Sequence, residues 1–140
     1  MPSTEFVWLA VRRMAFALLT LVLLPPAVFA HSVDSPRALH GGQARAMGTF
    51  HVELHVSDGQ LDLYVYDRHN APLWADSVKA HAQVLAAGGL HDLALAAGRR
   101  NQLSAPIPFK SSDVERVEIT LADESGRSWT TAFTLAANAP

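Results

Sequence analysis

Hydrophobic and polar positions alternate along most of the chain from residue 50 to residue 135. That period of two places successive side chains on opposite faces of a strand. Residues 50–56 set Phe50, Val52, Leu54 and Val56 against His51, Glu53 and His55. The following Ser57-Asp58-Gly59-Gln60 predicts a tight hairpin turn, because Asp-Gly tolerates positive φ. Residues 61–67 place Leu61, Leu63 and Val65 inward and Asp62, Tyr64 and Tyr66 outward, and 68–72 reads as a loop. A strand over 78–85 carries Val78, Ala80, Ala82 and Val84 inward, and Gly88-Gly89 predicts a turn into another over 90–95. A short strand over 101–105, one over 114–121 and a closing one over 128–135 complete the set. Trp129, Thr131, Phe133 and Leu135 are the inward positions of the last. The alanine-rich stretch 82–97 is not read as helix, since each of its two central glycines costs about 1 kcal/mol there. Six or seven short strands predict an all-β domain, specifically an immunoglobulin-like, Greek-key β-sandwich.

The first thirty residues break this pattern. Arg12 and Arg13 precede an eleven-residue apolar run, Met14 to Leu24, ended by Pro25-Pro26. The run is too short to cross a bilayer, which takes about 20 apolar residues, and Val28-Phe29-Ala30 resembles a cleavage site. Residues 1–30 are therefore expected to be a signal peptide cleaved after Ala30, leaving a periplasmic protein with no stable membrane insertion. Residues 31–48 show no period and are expected to form an irregular N-terminal arm. The sandwich is expected over 49–136, with a tail at 137–140.

Composition narrows the function. The eleven basic and thirteen acidic residues become nine and twelve once Arg12, Arg13 and Glu5 are set aside. No clustered basic face points to nucleic acid. The chain has no cysteine, so neither disulfides nor thiolate–metal chemistry is available. All seven histidines (31, 40, 51, 55, 69, 81 and 91) follow the leader. That enrichment brings in metal or proton binding, because imidazole is the commonest metal ligand.

His40-Gly41-Gly42, Phe50-His-Val-Glu-Leu54, Asp58-Gly59-Gln-Leu61 and Leu63-Tyr-Val-Tyr-Asp67 occur in order, followed by Asn101-Gln-Leu103 and Thr131-Ala-Phe-Thr-Leu135. Over residues 40–135 this series resembles small exported domains that begin with His-Gly-Gly. These occur as stand-alone periplasmic proteins or near the start of periplasmic adaptor subunits of heavy-metal efflux pumps. The resemblance implies a β-sandwich and a role in metal tolerance, and it supplies no catalytic residue.

The sharpest candidate for chemistry is His51-x-Glu53-x-His55. Residues at i, i+2 and i+4 share one strand face about 6.6–7 Å apart, so two imidazoles and a carboxylate can converge on one ion. The competing expectation is an ordinary solvated strand face. His40 is the fourth candidate ligand, with two glycines that let the backbone fold back. Imidazole donors suit Cu(II), Zn(II) or Ni(II). His31, as a new amino terminus, could chelate through its α-amine and ring, whereas isolated His69, His81 and His91 read as surface residues. Met47 is the only methionine after the leader, which argues against a cuprous carrier. Copper carriers that also begin with histidine end in an Asp-Gly-His pattern that this chain lacks. No nucleophile elbow, His-Glu-x-x-His or phosphate loop is present, so an enzyme is not expected. The expected function is a periplasmic accessory protein of heavy-metal homeostasis or efflux, binding a divalent metal through His40, His51, Glu53 and His55. Its expected partner is an efflux adaptor or another periplasmic protein. The alternatives are a non-catalytic periplasmic protein–protein interaction module without metal and, more distantly, a copper-dependent oxidative enzyme built on His31.

Overall fold

The computed structural model describes residues 34–135. The predicted signal peptide, its cleavage site, His31 and the 137–140 tail lie outside the described residues. Eight strands are present: β1 (Gln43–Met47), β2 (Phe50–Ser57), β3 (Gln60–Asp67), β4 (Val78–Ala86), β5 (Gly89–Ala97), β6 (Gln102–Pro106), β7 (Val114–Asp123) and β8 (Ser128–Thr134). They form one antiparallel series in the order β1-β2-β3-β6-β5-β4-β7-β8. β4, β5 and β6 are consecutive, and β3 and β7 return by longer crossings to flank them. That is Greek-key connectivity at both crossings. The immunoglobulin-like expectation pictured two facing sheets, whereas the hydrogen-bonded series here is continuous and its ends, β1 and β8, approach each other. The result is an all-β sheet nearly closed into a barrel.

Most inward positions read from alternation are buried in the core, with Phe50, Val56, Leu93 and Leu135 half-buried at its margin. Val52, Leu61, Leu63, Val65, Val84, Val117, Ile119, Leu121 and Phe133 are fully buried, and Leu54, Leu95, Leu103 and Ala105 join them. Each such leucine or valine stabilises the fold by roughly 1.5–3 kcal/mol. The outward face of β4 is exposed at Lys79, His81 and Gln83, as alternation predicts.

Both edge strands depart from the alternation pattern. The arm is not wholly irregular: its last residues form β1, paired with β2 from Gln43↔Leu54 to Met47↔Phe50. Trp129 is half-buried rather than core, because β8 lies at the seam and not inside the sheet. Its indole covers Gly48, where any Cβ would overlap the ring and where φ is +61°, and it meets Phe50 edge-on at 5.0 Å. Gln43 Nε2 donates to the Thr134 carbonyl at 3.2 Å, and the Arg45 guanidinium lies 5.5 Å from the centre of the Phe133 ring. These contacts hold the two edge strands together where the ladder does not.

Candidate functional site

The outward face of β2 and β3 is where the predicted trio lies. Register sets His51 against Tyr66, Glu53 against Tyr64 and His55 against Asp62. The three candidates thus share one face, as their spacing requires. That face is not solvated, which corrects the expectation of surface histidines on β2: His51 is 2% exposed, Glu53 is 0% exposed and His55 is half-buried. Residues 34–42 fold back across it.

Glu53 is the centre of the arrangement. One carboxylate oxygen accepts the backbone N–H groups of His40 at 2.7 Å and Gly42 at 3.0 Å. The other accepts the N–H of Leu39 at 2.9 Å, the His40 ring at 3.1 Å and the Tyr66 hydroxyl at 3.3 Å. Burial pushes this carboxyl up, but the hydrogen bonds from Gly42, the His40 ring, and the His40 and Leu39 amides outweigh it and hold it below its ordinary value. Glu53 is therefore an ionised, fully satisfied group at neutral pH.

A carboxylate only accepts, so the proton of His40 sits on Nδ1. In the neutral ring Nε2 is then left as the acceptor. The ring stacks on Tyr64 with centroids 3.6 Å apart and planes 3° from parallel, and its side chain remains 40% exposed. Tyr66 is buried beneath it with its hydroxyl 3.1 Å from Nδ1. Burial and the Glu53 charge push the Tyr66 phenol up to about 12, and burial with the Asp62 and Glu53 charges raises Tyr64.

Gly42 is required by the close approach of the arm, since a Cβ there would collide with the Leu54 carbonyl and crowd the Glu53 side chain. A second tether lies further back. His51 Nδ1 is 2.8 Å from Asn70 Oδ1, and Asn70 Nδ2 donates to the Ser35 carbonyl at 3.0 Å. Asn70 holds φ at +62°, a left-handed conformation that asparagine tolerates better than most residues. Asp67 anchors the same loop by accepting the N–H groups of His69 and Ala71.

Of the four predicted ligands, the structure brings His40 and Glu53 into contact, while His51 is engaged with Asn70 and His55 stands opposite Asp62. Among the described residues no three His, Cys, Asp or Glu side chains are grouped so as to hold a metal ion. Asp62 accepts from Gln60 at 2.8 Å and from Gln102 at 3.0 Å. His69 and His81 are exposed, and His91 packs against Phe109 with ring centroids 4.9 Å apart. Sequence does not single out Asn70; its one signal is an asparagine in a loop opened by an aspartate, a turn composition. Compared with family models, curated proteins and solved structures, the chain matches none.

Proposed function

We propose that this chain is an exported accessory domain of heavy-metal homeostasis or efflux, working there as a non-catalytic docking module. Export rests on the leader pattern of residues 1–30, and the metal setting rests on the His-Gly-Gly resemblance over residues 40–135. The finer reading of the fold as an immunoglobulin-like sandwich rests on the short, regularly spaced strands of the sequence, and the resemblance supports a sandwich of that kind. The observation that carries the docking reading is Glu53. The carboxylate at the middle of the candidate ligand set is fully buried and takes five donors from the arm and Tyr66. A carboxylate offers about four lone-pair sites, so none is left for an ion while the arm stays down. His-Gly-Gly then acts as the clasp of the arm, and the work falls to exposed surface.

One observation favours metal binding as a second reading. The Glu53–His40 pair fixes the imidazole with Nδ1 protonated, the arrangement by which a carboxylate orients a metal-bound histidine. On that reading Glu53 orients His40 and is not itself a ligand. Calorimetric titration with Cu(II), Zn(II) and Ni(II) separates the two. A docking module gives no stoichiometric heat at tens of micromolar protein. Saturable binding that is lost in His40→Ala replaces it with the metal reading, and binding lost in His51→Ala/His55→Ala places the ion on β2.

A further inference from the structure

Trp74 lies in the β3–β4 crossing and is 69% exposed, more than any other large hydrophobic side chain of the described residues. It stands beside an open notch of about 330 Å³ lined by Pro72, Leu73, Trp74, Arg100 and Asn101. Exposing an indole this far forgoes a large burial gain, and tryptophan and arginine are among the side chains most enriched at protein-binding hot spots.

The notch is built on rigid backbone. Leu73 N–H donates to the Val65 carbonyl at 3.1 Å, Val65 N–H to the Asn101 carbonyl at 2.9 Å and Ala75 N–H to the Arg100 carbonyl at 2.7 Å. The buried Asn101 adds a side-chain bond to the Val65 carbonyl at 3.2 Å. Both walls are thereby fixed to β3. Arg100 holds φ at +53°, a strained conformation for a residue with a side chain and one that glycine would adopt freely. Arg100 lines the notch and is exposed in spite of that strain.

Charge identifies the occupant. Arg99 and Arg100 are adjacent and exposed, and among the described residues no carboxylate oxygen lies within 4.0 Å of either guanidinium. The notch is open to solvent, so it seats side chains of a partner rather than enclosing a small molecule, most of whose surface a ligand pocket buries. We infer that the Trp74–Arg100 notch binds an extended segment of a partner protein in which a proline, leucine or aromatic residue is flanked by carboxylates. The apolar side chain lies on the Trp74 indole and Leu73, and a carboxylate pairs with Arg100, whose fork geometry suits it.

This inference rests on the docking-module reading, and the experiment separates their failures. Protein recovered from cells expressing the whole chain is panned against a displayed library of random dodecapeptides. Peptides recovered are titrated against wild type, Trp74→Ala and Arg100→Gly, with His81→Ala as an exposed control. Both test residues are at the surface, and glycine suits the Arg100 backbone, so all variants are expected to melt with wild type. The expected peptides carry Asp or Glu beside an apolar residue. Trp74→Ala and Arg100→Gly each weaken them at least tenfold, as does replacing their carboxylates by amides, while His81→Ala has no effect. Neutral peptides that depend on Trp74 overturn the acidic partner. Peptides that bind the Trp74 and Arg100 variants like wild type overturn this site while leaving the docking module standing. Recovery of no peptide overturns both.

Discussion

Replacing Glu53 by glutamine tests the clasp directly. The substitution keeps the size of the side chain and removes its charge and one acceptor oxygen. If the remaining oxygen stays on the His40 and Gly42 amides, two charge-assisted bonds become neutral ones, losing about 1 kcal/mol each. The new amide nitrogen then faces the Leu39 N–H, the His40 ring and the Tyr66 hydroxyl, which Glu53 accepts at 2.9, 3.1 and 3.3 Å. The ring can shift its proton to Nε2 and the hydroxyl can rotate, but the Leu39 amide has no alternative. Leaving it unpaired costs about 1–3 kcal/mol. The sum has a ceiling, because the arm can peel away and return its amides to water. The expected net loss is about 2–4 kcal/mol, a large part of the roughly 5–15 kcal/mol typical of a domain.

Two measurements check it. Urea unfolding reads the total, and hydrogen exchange reads the place. In the Glu53→Gln variant, protection of the Leu39, His40 and Gly42 amides should fall to that of open chain, while β4 and β7 amides follow global stability. The wild-type protein should show the same local loss in acid. The folded Glu53 carboxyl lies below its ordinary 4.5, so its contribution is complete above that value and drains as pH falls through the folded value. The variant lacks this component, so its acid loss over that window should be smaller than that of wild type. The remainder comes from carboxylates such as Asp58, Asp67 and Asp123, which are also held below their ordinary value. A loss under about 0.5 kcal/mol, with the three amides still protected, would mean that something other than this carboxylate holds the arm.

Three further outcomes are expected from the packing. Gly42→Ala should destabilise by about 1–3 kcal/mol, the usual cost of forcing atoms into a filled site, because its Cβ meets the Leu54 carbonyl rather than a yielding side chain; thermal melts check this. Trp129→Ala should cost less than the roughly 3–5 kcal/mol of a fully buried tryptophan, since the indole is half-exposed at the seam, and β1 amides should exchange faster than β4 amides. In absorbance titration of the folded protein, neither of the two tyrosines should ionise at its ordinary value of 10.0, and Tyr66 should titrate last, near 12.

Alternation made most of the fold legible. Strands β2 to β8 stand where period two predicts them, and Val52, Leu63, Val84 and Ile119 point into the core as expected. Pattern fails where the physics is not periodic. β1 reads Gln-Ala-Arg-Ala-Met, with a single buried hydrophobic residue, Met47, so it carries almost no alternating signal. Turn chemistry also slips by one position: the left-handed residues between β4 and β5 are Ala87 and Gly88, and Gly89 already belongs to β5. Above all, a period of two assigns residues to faces without saying what covers a face. His51, Glu53 and Tyr66 are polar and outward, and nothing local distinguishes a solvated outward face from one beneath an arm 13 residues away in sequence.

The weakness of β1 explains why polar devices gather around it. The strand is too short and too poor in apolar side chains to hold an edge by burial, and the chain has no cysteine to staple it. Its position is instead fixed at both ends by glycines that permit close approach. At Gly42 the arm comes down on the Leu54 carbonyl and Glu53, and at Gly48 the chain passes under Trp129. Between them, Gln43 and Arg45 reach across the seam to Thr134 and Phe133. Closure of the barrel and docking of the arm therefore share one strand, and loss of either anchor should loosen the other. A double mutant cycle between Glu53→Gln and Trp129→Ala measures that link. Sites that share no contact usually add within about 0.3–0.5 kcal/mol, so a coupling of at least about 1 kcal/mol is expected if β1 transmits between them. Simple additivity, with β1 amides still protected in each single variant, would mean that the two anchors act independently and that pairing with β2 alone holds the strand.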